Sequence, residues 1–154
     1  MSSNSVVHIS EMLSLALHSM VFIARSEKET VSVKDIAGET GYSENHLAKV
    51  LQRLVKAGLL KSARGPKGGF SLKRKPADIS FLDIYEVIEG KILMGGCCPL
   101  GQAKCPFEKC IFGDTISSIN KQFLNYLKTH TLENFVPDLT GANNIVKEDN
   151  IYNQ

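Results

Sequence analysis

Every cysteine of the chain falls within one short stretch, at Cys97, Cys98, Cys105 and Cys110, between Met94 and Asp114. Four thiols on a segment broken by glycines and prolines can form a concave loop around a small inorganic guest. Zinc is usually held by pairs of Cys-x-x-Cys turns, each chelating with two sulfurs, and this stretch has none. The gaps between its cysteines are zero, six and four residues. Wider gaps suit a polynuclear cluster, whose thiolates must reach different iron atoms. The spacing therefore favours an iron-sulfur cluster over zinc or unligated redox thiols, with 2Fe-2S and 4Fe-4S both open. Disulfides suit small secreted scaffolds better than a chain able to bury a core.

A second chemistry lies upstream, in the charges. Net charge is only +2, but from Ser32 to Lys75 ten Lys or Arg stand against three Asp or Glu. That segment is locally +7 and the rest of the chain −5, so a polyanion partner is expected for the first alone. With 154 residues, 43% hydrophobic and 22% charged, the composition is that of a globular protein of one domain or one domain with an appendage. Apolar runs fall short of a membrane span, and Met1 to Ser5 lacks a leader-like pattern, so a cytoplasmic protein is expected. There is no Ser-His-Asp or paired-carboxylate pattern to support an enzyme.

The elements that must position these groups read as mainly α with a small β-hairpin wing. Met12, Leu13, Ala16, Leu17, Met20, Val21, Ile23 and Ala24 form the stripe of an amphipathic helix between His8 and Ser26. Ser32 and Asp35 stand in the capping-box relation, which predicts a short helix from Val33 to about Gly41. Ser43 caps a third helix that turns Leu47, Val50, Leu51, Leu54 and Val55 inward and His46, Lys49, Arg53 and Lys56 outward, and Gly58 closes it. Two short helices joined by a tight turn, the second basic on its outer face, make a helix-turn-helix signal.

Leu59 to Ala63 and Phe70 to Leu72 then read as two strands around Arg64-Gly65-Pro66-Lys67-Gly68-Gly69, a wing with cations at its tip. That loop leads into a strand and lacks Gly-Lys-Ser or Gly-Lys-Thr, which argues against a nucleotide phosphate cradle. Ser80 and Asp83 form another capping box, for a helix from Phe81 to Glu89. After the cysteines, Thr115 to Lys128 predicts a long helix with Ile116, Ile119, Phe123 and Leu127 on a heptad-like seam. Little of the chain remains to cover that seam, so a partner subunit is the expected cover. The expected organisation is a winged helix-turn-helix domain over 1–90, a cysteine loop over 91–113, a C-terminal dimerisation helix over 114–135 and a flexible tail over 136–154.

From Ile9 to Phe135 the chain resembles the winged-helix transcription regulators of the Rrf type, which include iron-sulfur and nitric-oxide-sensing members. The resemblance is carried by Asn45-His46-Leu47-Ala48-Lys49-Val50-Leu51-Gln52-Arg53-Leu54, by Arg64-Gly65-Pro66-Lys67-Gly68-Gly69-Phe70 and by the cysteine stretch. It implies a cytoplasmic, homodimeric regulator of transcription, a repressor or activator, that binds double-stranded DNA and senses redox state, nitric oxide or iron-sulfur supply through its cluster. It also implies that Cys98, Cys105 and Cys110 are metal ligands, with Cys97 surplus. Some members take a fourth ligand from the start of the partner's first helix; that position is Ser14 here, which leaves Glu11, His8 and Cys97 as candidates. An apo regulator that senses redox directly through its thiols is the alternative.

In the implied docking, Lys49, Arg53, Lys56 and Lys67 contact phosphates, while Ser43, Asn45, His46 and Gln52 read bases. Arg64 enters a minor groove.

Overall fold

The apolar stripe of the first helix becomes the centre of the protein. The computed structural model describes residues 8–92 and 106–136, and its first helix, α1, spans Glu11–Arg25. Ser10 caps it, accepting the Leu13 amide proton at its hydroxyl, so one of the unpaired donors of the first turn is satisfied. Leu13, Ala16, Met20 and Ile23 are buried along one side and Leu15 and Ser19 along another. Two buried sides follow from α1 packing against five other parts of the chain. Met12, expected in the stripe, is exposed instead.

Helix α2 (Val33–Thr40) begins with the predicted capping box: the Asp35 amide donates to the Ser32 hydroxyl and the Ser32 amide donates to the Asp35 carboxylate. Gly41, at φ +72°, ends it. Helix α3 (Glu44–Lys56) starts at Ser43, as read from the sequence, though the Ser43 side chain makes no capping hydrogen bond. Its C-terminus is a Schellman turn. The Gly58 amide donates to the Val55 carbonyl and the Leu59 amide to that of Leu54, while Leu54 and Leu59 are both buried. Gly58 sits at φ +77°, where a side chain would be strained.

Strands β1 (Leu60–Ala63) and β2 (Gly69–Leu72) pair antiparallel, from Leu60 opposite Leu72 to Ala63 opposite Gly69. Val31 adds a bridge to Phe70 on the other side of β2, through amide-carbonyl bonds in both directions. That close approach requires glycine at 69, since a Cβ there would lie 2.6 Å from the Val31 carbonyl oxygen. Helix α4 (Phe81–Glu89) carries the second predicted capping box, Ser80 with Asp83.

Helix α5 (Thr115–Thr129) matches its predicted span, but its seam is covered differently from the expectation. Leu127 is buried in the core, and Phe123 packs against it with its ring edge-on to Tyr85, centroids 6.1 Å apart. Tyr126 meets Phe81 in the same manner at 6.2 Å. Past α5 the chain turns back. The Leu132 amide donates to the Ile79 carbonyl, the Phe81 amide to that of His130, and Phe135 stacks on Phe81 at 5.1 Å. This return fastens α5 to α4, so of the seam Leu127 is buried by its own chain, while Ile116, Ile119 and Phe123 are half-buried. Cys97, Cys98, Cys105 and nearly all of the expected tail lie outside the described residues. Among the described residues, no helix is long and apolar enough to cross a membrane.

The box that starts α2 also sets a pH response. Hydrogen bonds from the Lys28 ammonium, 2.9 Å away, and from Ser32 hold the Asp35 carboxyl down from 3.8 to about 2. A depressed folded value favours the native state above the unfolded pKa, and the advantage fades as pH falls toward the folded one. Thermal denaturation of Asp35→Asn should show a lower Tm than the unsubstituted chain at pH 7, with the gap closing between about pH 4 and pH 2. Ser32→Ala, which loses the cap itself, should cost ~1 kcal/mol at neutral pH.

Candidate nucleic-acid interface

An inward face of leucines and valines decides which way α3 presents its polar side chains. With Leu47, Val50, Leu51 and Leu54 buried, the 3.6-residue repeat leaves Asn45, His46, Lys49, Gln52, Arg53 and Lys56 on the exposed side. Ser43, at the start of the helix, is exposed as well, its hydroxyl unused by the cap. The result is a helix whose first turns carry hydrogen-bonding groups, with the exposed acid Glu44 among them, and whose later turns carry cations, an arrangement compatible with a major-groove reader.

The wing tip supplies the second half of the surface. Arg64 and Lys67 are exposed on the connection between β1 and β2. Two restraints hold that connection: the Gly68 amide donates to the Gly65 carbonyl at 2.9 Å, and the Thr30 hydroxyl donates to the Lys67 carbonyl at 2.8 Å. Gly68 lies so close to the turn that a Cβ would meet the Ala63 carbonyl oxygen at 2.5 Å. The backbone of the tip is thus anchored while its cationic side chains project into solvent. Among the described residues, the ion pairs within 4.0 Å are Lys28 with Asp35 and His46 with Glu11. Lys49, Lys56, Arg64 and Lys67 are paired with none of the described acids.

Two members of the expected interface have partners that the sequence did not announce. Nδ1 of His46 lies 3.9 Å from the Glu11 carboxylate, which joins the start of α3 to the start of α1. The guanidinium of Arg53 turns away from the open face and donates to the Val87 and Ile88 carbonyls at 2.8 and 2.9 Å, with its other terminal nitrogen 3.9 Å from the Met12 sulfur. Arg53 therefore differs from its basic neighbours: its charge already answers the carbonyl end of α4. Helical spacing alone put Arg53 outward, and it could not show which atoms wait beside it.

A third link was not foreseen either. Ser14, at the position of the resemblance's fourth ligand, hydrogen-bonds the Tyr42 hydroxyl at 3.0 Å, and His18 donates from Nδ1 to the Ser14 carbonyl at 2.7 Å. Tyr42 belongs to the turn between α2 and α3, so this contact ties the turn to α1. Of the expected thiol ligands, Cys110 is described; it is exposed and free, in the bend that precedes α5. Glu11 and His8 are exposed at the start of α1. Among the described residues, no three His, Cys, Asp or Glu side chains come together as a metal-binding group.

Comparison with known proteins agrees with this architecture. The chain is 28% identical over 135 residues to the HTH-type transcriptional regulator NsrR of Geobacillus kaustophilus, covering 86% of this chain and 92% of that one. In structure it is similar to CymR, the global cysteine regulator of B. subtilis, with a TM-score of 0.66 and 28% identity over 83% of this chain and 95% of that one. T. potens IscR is similar with a TM-score of 0.65 and 30% identity, covering 83% and 85%. These likenesses place the hairpin and helices in the winged-helix class, and the relatives are regulators of transcription rather than enzymes. The profile of the family described as Iron-dependent Transcriptional regulator matches residues 9–138, and the chain belongs to this family, Rrf2.

Proposed function

We propose that this chain works as a homodimer that reads an operator with two copies of α3 and the wing, and that its cysteine segment holds an iron-sulfur cluster whose state sets DNA affinity. The observation that carries the DNA half is the division of α3 into an aliphatic face with Leu47, Val50, Leu51 and Leu54 buried and an exposed polar one, beside an anchored wing with exposed cations. In this reading Lys49, Lys56 and Lys67 contact phosphates, and Ser43, Asn45, His46 and Gln52 meet base edges. Arg64, at the wing tip, enters the minor groove.

Support for the dimer comes from apolar surface around the start of α5. Phe107 and Ile111 are 61% and 73% exposed, Phe112 is exposed, and Ile116 and Ile119 are half-buried. Large apolar side chains this close together are commonly covered by a partner. Two-fold pairing there would place two recognition helices for successive half-sites.

The donor set fits an iron-sulfur cluster: thiolates from Cys98, Cys105 and Cys110 are soft ligands, and the one described among them is exposed. The fourth position falls to Cys97, Glu11 or His8, the last two being accessible at the start of α1. Such a cluster supplies iron-thiolate bonds that respond to oxygen, nitric oxide or redox state. The segment bearing these thiols joins α4 to α5, so its conformation can bias how the two DNA-binding units are held. A coupling of ~1–3 kcal/mol would change operator affinity about five- to 150-fold. Direct oxidation of the thiols is the second reading, favoured by the exposure of Cys110.

Iron and sulfide analysis of anaerobically isolated protein tests the cluster. Thiolate-to-iron absorption should be present, and should be lost in Cys98→Ala, Cys105→Ala and Cys110→Ala but retained in Cys97→Ala; a colourless, iron-free protein would favour the thiol sensor. For DNA contact, Lys49→Ala should weaken binding to every sequence and reduce the salt slope by about 0.9. Arg64→Ala should mainly reduce discrimination between A·T-rich and other flanks. For assembly, Ile119→Glu should sediment as a monomer with greatly reduced operator affinity, since the linked second contact is lost; an unchanged dimer would place the interface elsewhere.

A further inference from the structure

The C-terminal end of α4 is a junction of three helices. The last four carbonyls of a helix lack intrahelical partners and carry the negative end of its dipole. In α4 the Gly90 amide satisfies the Glu86 carbonyl at 3.1 Å. The next two, Val87 and Ile88, accept from the same terminal nitrogen of Arg53. The last turn of α4 has no basic residue of its own and ends in Glu89. The Glu89 carboxylate in turn accepts from the hydroxyl of Ser10, the N-cap of α1. Thus α3 supplies the cation that α4 lacks, α1 holds the acid that α4 carries, and five residues after Glu89, at Met94, the chain enters the cysteine-bearing stretch.

We propose that Arg53 is a positioning residue that fixes the recognition helix to the root of the cysteine segment, rather than a phosphate contact. The planar guanidinium suits this task, because one nitrogen can donate to two neighbouring carbonyls while the rest of the fork lies over the Met12 sulfur. A lysine ammonium keeps the charge but not this fixed geometry. Displacement of the end of α4 carries Arg53 with it. Arg53 is one helical turn from both Lys49 and Lys56, so the groove-facing side of α3 moves as well. The transmission part of this proposal rests on the cluster reading above; the anchoring part does not.

The test compares the unsubstituted chain, Lys49→Ala, Arg53→Lys and Arg53→Ala, each full-length, both anaerobically isolated and stripped of metal. Operator affinity is measured across a salt series, and amide hydrogen exchange is followed at 86–90, with the α1 core around Met20 as a control for intact folding. A positioning role predicts that Arg53→Lys loses affinity with an unchanged salt slope and that exchange at the Gly90 amide accelerates. The affinity ratio between the two preparations should also fall toward one. A phosphate contact predicts the reverse: Arg53→Lys behaves like the unsubstituted chain, Arg53→Ala lowers the slope by about 0.9 as Lys49→Ala does, and exchange at 86–90 is unchanged. That result would overturn the proposal. If the unsubstituted chain itself binds DNA equally in both preparations, the cluster reading fails, while the slopes and exchange rates still decide the role of Arg53.

Discussion

Burial of α1 is the constraint on which the other elements depend. Helix α3 lays Leu47, Val50, Leu51 and Leu54 into the same core as Leu13, Ala16 and Met20, and α4 adds Phe81, Ile84 and Ile88. Each fully buried aliphatic side chain contributes roughly 1.5–3 kcal/mol, so the inner face of α3 alone outweighs any exposed ion pair, worth typically ~0–1 kcal/mol. That ordering matters for function. The rotation of α3 about its axis is set by its apolar side, and the groups available to DNA are those the core leaves outside.

Around this core the protein uses backbone economy to hold the pieces that must not drift. The wing is only four residues deep on each side, too short to be stable as an isolated hairpin. It is held because Val31 pairs with Phe70 as a third, minimal strand and Thr30 pins the carbonyl of Lys67. Phe70 carries the same connection inward, its ring buried with the core. The cations at the tip thus project from a fixed base.

Polar links then join the parts that the core leaves adjacent. Ser14 with Tyr42, Glu11 with His46, Ser10 with Glu89 and Arg53 with the end of α4 all run between α1, the helix-turn-helix and α4. Each is individually weak beside the apolar contacts, but they are directional, and two of them, Ser10 with Glu89 and Arg53 with Val87 and Ile88, lie at the end of α4 from which the chain leaves for its thiols. A core resists rotation; directional contacts determine which small displacements are shared between elements.

Helix starts, turn glycines and the exposed face of α3 were legible in the residues alone, because each depends on neighbours a few positions away. The two capping boxes, the helix stops at Gly41 and Gly58 and the 3.6-residue pattern of α3 are local physics, and the structure reproduces them. The concentration of thiols and cations was likewise a property of the string itself. Tertiary structure decided what lies opposite. A heptad-like seam on α5 reads the same whether its cover is another subunit or α4, and only the return of the chain through Leu132 and Phe135 brings Phe123 and Leu127 home. Arg53 looks identical to Lys49 on a helical wheel until the carbonyls of Val87 and Ile88, some thirty-five residues away, arrive beside it. Periodicity specifies the direction in which a side chain points; the partner it finds there is supplied by residues distant in sequence, which local pattern cannot encode.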